Sequence, residues 1–207
     1  MLNTMRDYLA FSGLQYQKPE KAGQEAEKML YLRSKGQEAR KAFTELAKAF
    51  QARRPEWKLL GTSQWMNQAQ RLRPHFWAYL QREGQVSEPM MALRLFGNPN
   101  NFGISLEVSF IERKKDEGTL SKQAKVLDVP VVEGIYYWVQ KNDESYRVEV
   151  TEDNRNHLMQ QLSSCEIRKV LVKADIPVTK EESLAKILNE LDRSFEKLLP
   201  YYQATRN

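Results

Sequence analysis

The chain has 207 residues, 41% of them hydrophobic and 29% charged, with a formal net charge of +5 at pH 7 and a single cysteine. That length and apolar content suit one globular domain with a full core and exclude a disordered chain. One cysteine excludes an intrachain disulfide and a cysteine-rich zinc site. No run approaches the roughly 18 apolar residues of a membrane span, and the start MLNTMRDYLAF lacks the apolar run of a signal peptide, so a cytoplasmic protein is expected.

The charge is uneven. Residues 1–60 hold 12 Lys or Arg against 7 Asp or Glu, whereas residues 61–207 hold 20 of each, so the whole net charge belongs to the N-terminal segment. A basic segment on a neutral body suits attraction to a polyanion, or a solvated helical surface that happens to favour lysine.

In chain order, Asn3 is positioned to cap a short helix over Thr4–Phe11 that stops at Ser12-Gly13. Helix-forming sequence runs from Pro19 to Ala52, with Gly36 as a break, and Phe43, Leu46, Ala47 and Phe50 form one apolar stripe. Beyond Trp57 the period changes to two. A strand is expected over His75–Gln81, with His75, Trp77 and Tyr79 on one face and Phe76, Ala78 and Leu80 on the other. A hairpin follows, Pro89–Phe96 and Gly103–Glu112. In its second arm Ile104, Leu106, Val108 and Phe110 oppose Ser105, Glu107 and Ser109, which predicts one buried face and one wet face. A short helix over Thr119–Leu127 precedes a second hairpin, Ile135–Lys141 with Ser145–Thr151, around Asn142-Asp143-Glu144. Tyr136 and Trp138 lie on the side opposite Ile135, Tyr137 and Val139, so both faces of that strand have material to cover. Thr151 caps a helix to Ser163, and Ile167–Ile176 is a last strand. Thr179 and Glu182 form a capping box for a C-terminal helix whose stripe is Leu184, Ile187, Leu188, Leu191, Phe195 and Leu198, with Pro200 ending or kinking it. The expected fold is a single α+β domain with a mostly antiparallel sheet of about five to six strands and helices on one face. Within it, residues 1–54 are a basic helical segment, 57–176 the sheet with short helices, and 179–205 the C-terminal helix.

The sequence contains no GxxxxGK[ST], no GxGxxG after a strand, no GxSxG and no HExxH, so no cofactor is expected. Cys165 follows His157 within one predicted helix and its junction, which reads as a small hydrophobe rather than a catalytic pair. Glu107 with Glu112 and Lys114 resembles the core of the PD-(D/E)xK nuclease superfamily, for which carboxylates holding Mg²⁺ and a lysine near the attacking water suit phosphodiester cleavage. The family's upstream Pro-Asp pair is missing here. The richest segment is Ser63–Gln81. Trp65, His75 and Trp77 offer stacking faces, Asn67 offers an amide, and Arg71 and Arg73 offer positive charge, a mixture that suits bases or nucleotides as well as an ordinary strand.

The run WMNQAQ-x4-PHFW at Trp65–Trp77, the strand FGISLEVSFIERKK at Phe102–Lys115 and RKVLVK at Arg168–Lys173 resemble an uncharacterised family of cytosolic proteins from Gram-positive bacteria, over nearly the whole chain. That resemblance implies no activity, cofactor or catalytic residue. A fainter one is to the N-terminal DNA-reading domains of McrB-type restriction systems, through a tryptophan-containing segment before an aromatic strand and a C-terminal helix; no base-reading residue transfers. The leading expectation is a non-catalytic binding module for nucleic acid or a nucleotide that uses Trp65, Asn67, Arg71, Arg73, His75 and Trp77. A homodimeric interaction module built on the helices of residues 19–52 and a metal-dependent nuclease are the alternatives.

Overall fold

The computed structural model describes residues 1–82, 84, 88–111, 117–179 and 182–206. It has an α+β architecture with seven strands in one antiparallel open sheet, one or two more than the periodicity predicts. In chain order the elements are α1 (Leu2–Tyr8), α2 (Ala26–Ala52), β1 (Lys58–Leu59), β2 (Trp77–Gln81), β3 (Met90–Asn98), β4 (Asn101–Ser109), α3 (Glu117–Ala124), β5 (Tyr136–Lys141), β6 (Glu144–Glu149), α4 (Glu152–Ser163), β7 (Lys169–Pro177) and α5 (Leu184–Arg206). The sheet order is β1-β2-β3-β4-β7-β5-β6. The added strand is β1, too short to show a period.

The chain forms two compact units. The first comprises Met1–Tyr79, Leu93–Ile104 and Ile176–Leu188; the second comprises Leu80–Ala92, Ser105–Asp175 and Asn189–Asn207. In the first unit, α1 packs on α2, and the α2 stripe Phe43, Leu46, Ala47 and Phe50 is wholly buried, as its spacing predicts. Phe76 of the strand entry stacks on Tyr8 at 4.9 Å and on Phe43 at 5.8 Å between ring centroids. Arg40 on α2 donates to the Ser63 and Thr62 carbonyls at 3.0 and 3.3 Å, which fixes the chain entering the aromatic segment.

Two helix expectations in this unit are corrected. Asn3 does not cap α1, whose N-cap is Met1; its Oδ1 accepts from Arg6 instead. Gly36 does not break α2. It lies inside the helix because the Trp65 ring rests on its backbone, and a Cβ there would come within 2.5 Å of that ring.

In the second unit, β5 pairs with both β6 and β7 antiparallel, with Tyr136 opposite Lys173 and Trp138 opposite Leu171 and Arg147. The β5–β6 turn places Asn142 and Asp143 at φ 48° and 64°, the left-handed pair that a tight hairpin needs. Thr151 caps α4 as its sequence predicts, its side chain accepting from the Asn154 N–H at 3.2 Å.

The wet face expected on β4 is overturned: Ser105, Glu107 and Ser109 are 1%, 1% and 3% exposed, as buried as the apolar side. Alternation distinguishes two faces of a strand but does not say which neighbours cover them.

At the C-terminus the capping residue is Ser183, whose Oγ accepts from the Lys186 N–H at 3.2 Å, rather than Thr179. Glu182 pairs with Lys186 at 2.8 Å. Pro200 does not end α5, which continues to Arg206. The turns that follow are anchored by Tyr201, Tyr202 and Thr205, all buried, with the Tyr201 hydroxyl donating to the Pro130 carbonyl at 2.9 Å. That burial offsets the backbone hydrogen bond which proline removes.

Candidate functional site

The segment before β2 is irregular but well tied. Gly13 N–H donates to the Leu72 carbonyl and Leu72 N–H to the Leu14 carbonyl, both at 2.9 Å, so residues 13–16 run beside residues 70–72. Inside this ribbon the Asn67 side chain accepts from the Arg71 N–H at 2.9 Å, and the Arg71 guanidinium donates to the Gly13 carbonyl at 3.2 Å. Asn67 and Arg71 therefore meet each other across a turn. Trp65 goes elsewhere: it is 7% exposed, edge-on to Tyr16 at 4.9 Å and seated on Gly36, and its carbonyl accepts from Tyr8 at 2.6 Å.

Arg73, His75 and Trp77 do come together. Strand alternation sets Trp77 and Tyr79 on the half-buried face of β2 and Ala78 and Leu80 on the buried one, as the sequence predicts. His75 lies 5.6 Å from Trp77, ring to ring, and the Arg73 guanidinium sits over the Trp77 ring at 4.6 Å. Arg73 is oriented by its Nε–H, which donates to the Met66 carbonyl at 3.2 Å, and its own carbonyl accepts from Tyr8 at 3.0 Å. Burial is the main cause that raises the Tyr8 hydroxyl well above the ordinary phenol range, so it remains a neutral donor there.

A further residue joins this cluster that sequence reasoning missed. Arg94 on β3 places its guanidinium 5.9 Å from the Trp77 ring. Its signal in the sequence was a lone charge in the otherwise apolar run PMMALRLF. From Trp57 to Arg82 the chain holds Lys58, Arg71, Arg73 and Arg82 and no Asp or Glu, so this segment is itself basic. An indole flanked by guanidinium groups offers a stacking surface together with planar forks that match phosphate oxygens.

The second unit carries a different polar cluster. Lys173 and Glu107 form an ion pair at 3.1 Å, with side chains 12% and 1% exposed. Next to Lys173 on β7's own face, Asp175 accepts from the Tyr136 hydroxyl at 2.8 Å and from Arg147 at 3.4 Å. Arg147 stacks on the Tyr136 ring at 3.9 Å and the Lys173 ammonium lies 5.2 Å from the Trp138 ring. Burial, the largest cause, raises the Asp175 carboxyl above its ordinary value, while the Tyr136 hydrogen bond, Lys173 and Arg147 oppose that rise. Each cation here has a carboxylate beside it. The Lys173–Glu107 pair is held where the low dielectric would penalise either partner alone, whereas Arg147 reaches Asp175 from solvent.

Of the nuclease set, Glu107 is engaged by Lys173, and Glu112 and Lys114 lie outside the described residues. Among the described residues, no three His, Cys, Asp or Glu side chains gather as a metal ion would require. No described helix is long and apolar enough to cross a membrane. Compared with known proteins, the chain matches no family model and no curated protein.

Proposed function

We propose that this protein is a non-catalytic binding module for nucleic acid or a nucleotide, with contact made by Arg73, His75, Trp77 and Arg94. The observation that carries the reading is the half-buried Trp77 ring with guanidinium groups at 4.6 and 5.9 Å and an imidazole at 5.6 Å. A base stacks on an indole whatever its sequence identity, and guanidinium forks take phosphate oxygens, so the arrangement serves backbone-led recognition. Arg71, exposed on the adjoining ribbon, and the basic residues of 1–60 add long-range attraction. Asn67 and Trp65 support the site by shaping the ribbon and holding it on α2. An exposed lone thiol at Cys165 fits the reducing cytosol in which this reading is set.

Fluorescence anisotropy with labelled single-stranded and duplex DNA and RNA, at low and near-physiological salt, tests the proposal. Affinity should fall steeply with salt, and Arg94→Gln should reduce that slope. Absence of binding at low salt, or binding indifferent to salt, refutes it.

A second reading has its own observation. Leu30 and Tyr31 are adjacent on α2 and 53% and 51% exposed, and Leu14 is 42% exposed, which supports self-association through the N-terminal helices. Light scattering of the intact protein and of Tyr31→Lys decides it: a monomer in both removes the homodimer.

A further inference from the structure

Independently of the reading above, we infer that the second unit holds a binding cleft for a small zwitterion with an apolar body, the class of short apolar peptides with free termini. A cleft of about 560 Å³ lies between α3, the β5–β6 turn and the junction from α4 to β7. That volume falls within the range of ligand pockets and has room for a di- or tripeptide. Leu120, Leu162 and Ile167 give it an apolar lining.

Its rim is fixed by two left-handed corners. One is the Asn142-Asp143 turn already described. The other closes α4: the Glu166 N–H donates to the Gln161 carbonyl at 2.9 Å and the Cys165 N–H to the Leu162 carbonyl at 3.1 Å, with Cys165 at φ 59° where glycine is usual. Arg168 is pinned by its N–H, which donates to the Gln140 carbonyl at 2.8 Å. The cleft is thus built on backbone that is already ordered, which lowers the entropy lost on binding.

The rim charges choose the ligand class. Glu166 is met by Lys141 at 3.6 Å. Asp143 and Arg168, both exposed and both lining the cleft, have no ion-pair partner among the described residues. One anion and one cation around an apolar floor complement an ammonium and a carboxylate at the two ends of an apolar body. A simple anion would meet Asp143, and a simple cation would meet Arg168.

The single cysteine supplies a reporter, because Cys165 lines the cleft and is exposed. Tri-leucine and its N-acetylated, C-amidated counterpart should be titrated by calorimetry, with the iodoacetamide alkylation rate of Cys165 followed in parallel by intact mass. Tri-leucine should bind and slow alkylation at least fivefold, and the blocked peptide should do neither. Arg168→Glu and Asp143→Asn should each weaken tri-leucine binding about tenfold; Asn at 143 keeps the left-handed turn, so that variant retains the fold. Absence of heat with tri-leucine, binding without protection of Cys165, or equal protection by the blocked peptide or by octanoate would overturn the inference.

Discussion

Trp77 and Trp138 are both half-buried on sheet strands and both have a cation near the ring, yet their charge settings differ. Around Trp77 the chain from Trp57 to Arg82 contributes four basic residues and no acid. Beside Trp138, Lys173 is held by Glu107 at 3.1 Å, and the neighbouring Arg147 is shared with Asp175. A cation over an indole is therefore not by itself a binding signal. The two regions differ in what lies beside each ring: the segment that carries Trp77 is itself basic, whereas Lys173 and Arg147 near Trp138 each lie beside a carboxylate, and a compensated pair gives little field beyond its own length.

The contrast breaks first at the buried pair. Lys173→Met should cost about 3–5 kcal/mol by urea denaturation, because it removes the ammonium 3.1 Å from a carboxylate that is 1% exposed, whereas the Glu107→Leu, Lys173→Met double variant should recover most of that loss. A single variant as stable as the parent would show that the pair is solvated. Next in size, Trp77→Ala should weaken nucleic-acid binding roughly five- to 150-fold, the equivalent of one lost stacking contact of about 1–3 kcal/mol, and Trp77→Phe should restore part of it. Trp138→Ala should leave binding unchanged; an equal loss from both tryptophans would erase the distinction.

Asp175 gives a pH test. Its carboxyl is raised above the ordinary 3.8 in the folded state, so the fold prefers it protonated. Its contribution to stability is therefore present below that ordinary value and is lost as pH rises through the folded-state value. Asp175→Asn should remove this dependence, so the difference in unfolding free energy between variant and parent should grow in favour of the variant across that window. A constant difference would show that the carboxyl titrates normally. The smallest effect belongs to Arg147→Gln. Its side chain is 58% exposed, so thermal melting should change by no more than a few tenths of a kcal/mol.

Several elements were legible because their causes are local. The α2 stripe, the Thr151 cap, the face alternation of β2 and the apolar face of α5 depend on residues a few positions apart, and the structure reproduces each. Of the residues expected to form the site, Arg73, His75 and Trp77 meet although β2 begins only at Trp77. The irregular entry is held by the Arg73 Nε–H on the Met66 carbonyl and by Tyr8 on the Arg73 carbonyl, which the spacing in the sequence does not reveal. Arg94 was out of reach of that reasoning, since β3 comes alongside β2 only through strand pairing. Trp65 was equally opaque. Its ring is enclosed by Tyr16 and by Gly36, residues 49 and 29 positions away that no periodicity links to it.

The sequence by itself determined the class of fold, the element types and the two-sidedness of each strand, because side-chain period follows from backbone geometry alone. Tertiary structure decided which of those sides became dry. Ser105, Glu107 and Ser109 read as a solvent face in the sequence, yet all three are buried in the folded chain, where Glu107 pairs with Lys173. The same holds for Gly36 and Pro200, which look like helix breakers by local propensity and are tolerated because packing at Trp65 and at Tyr201 outweighs a cost of about 1–3 kcal/mol.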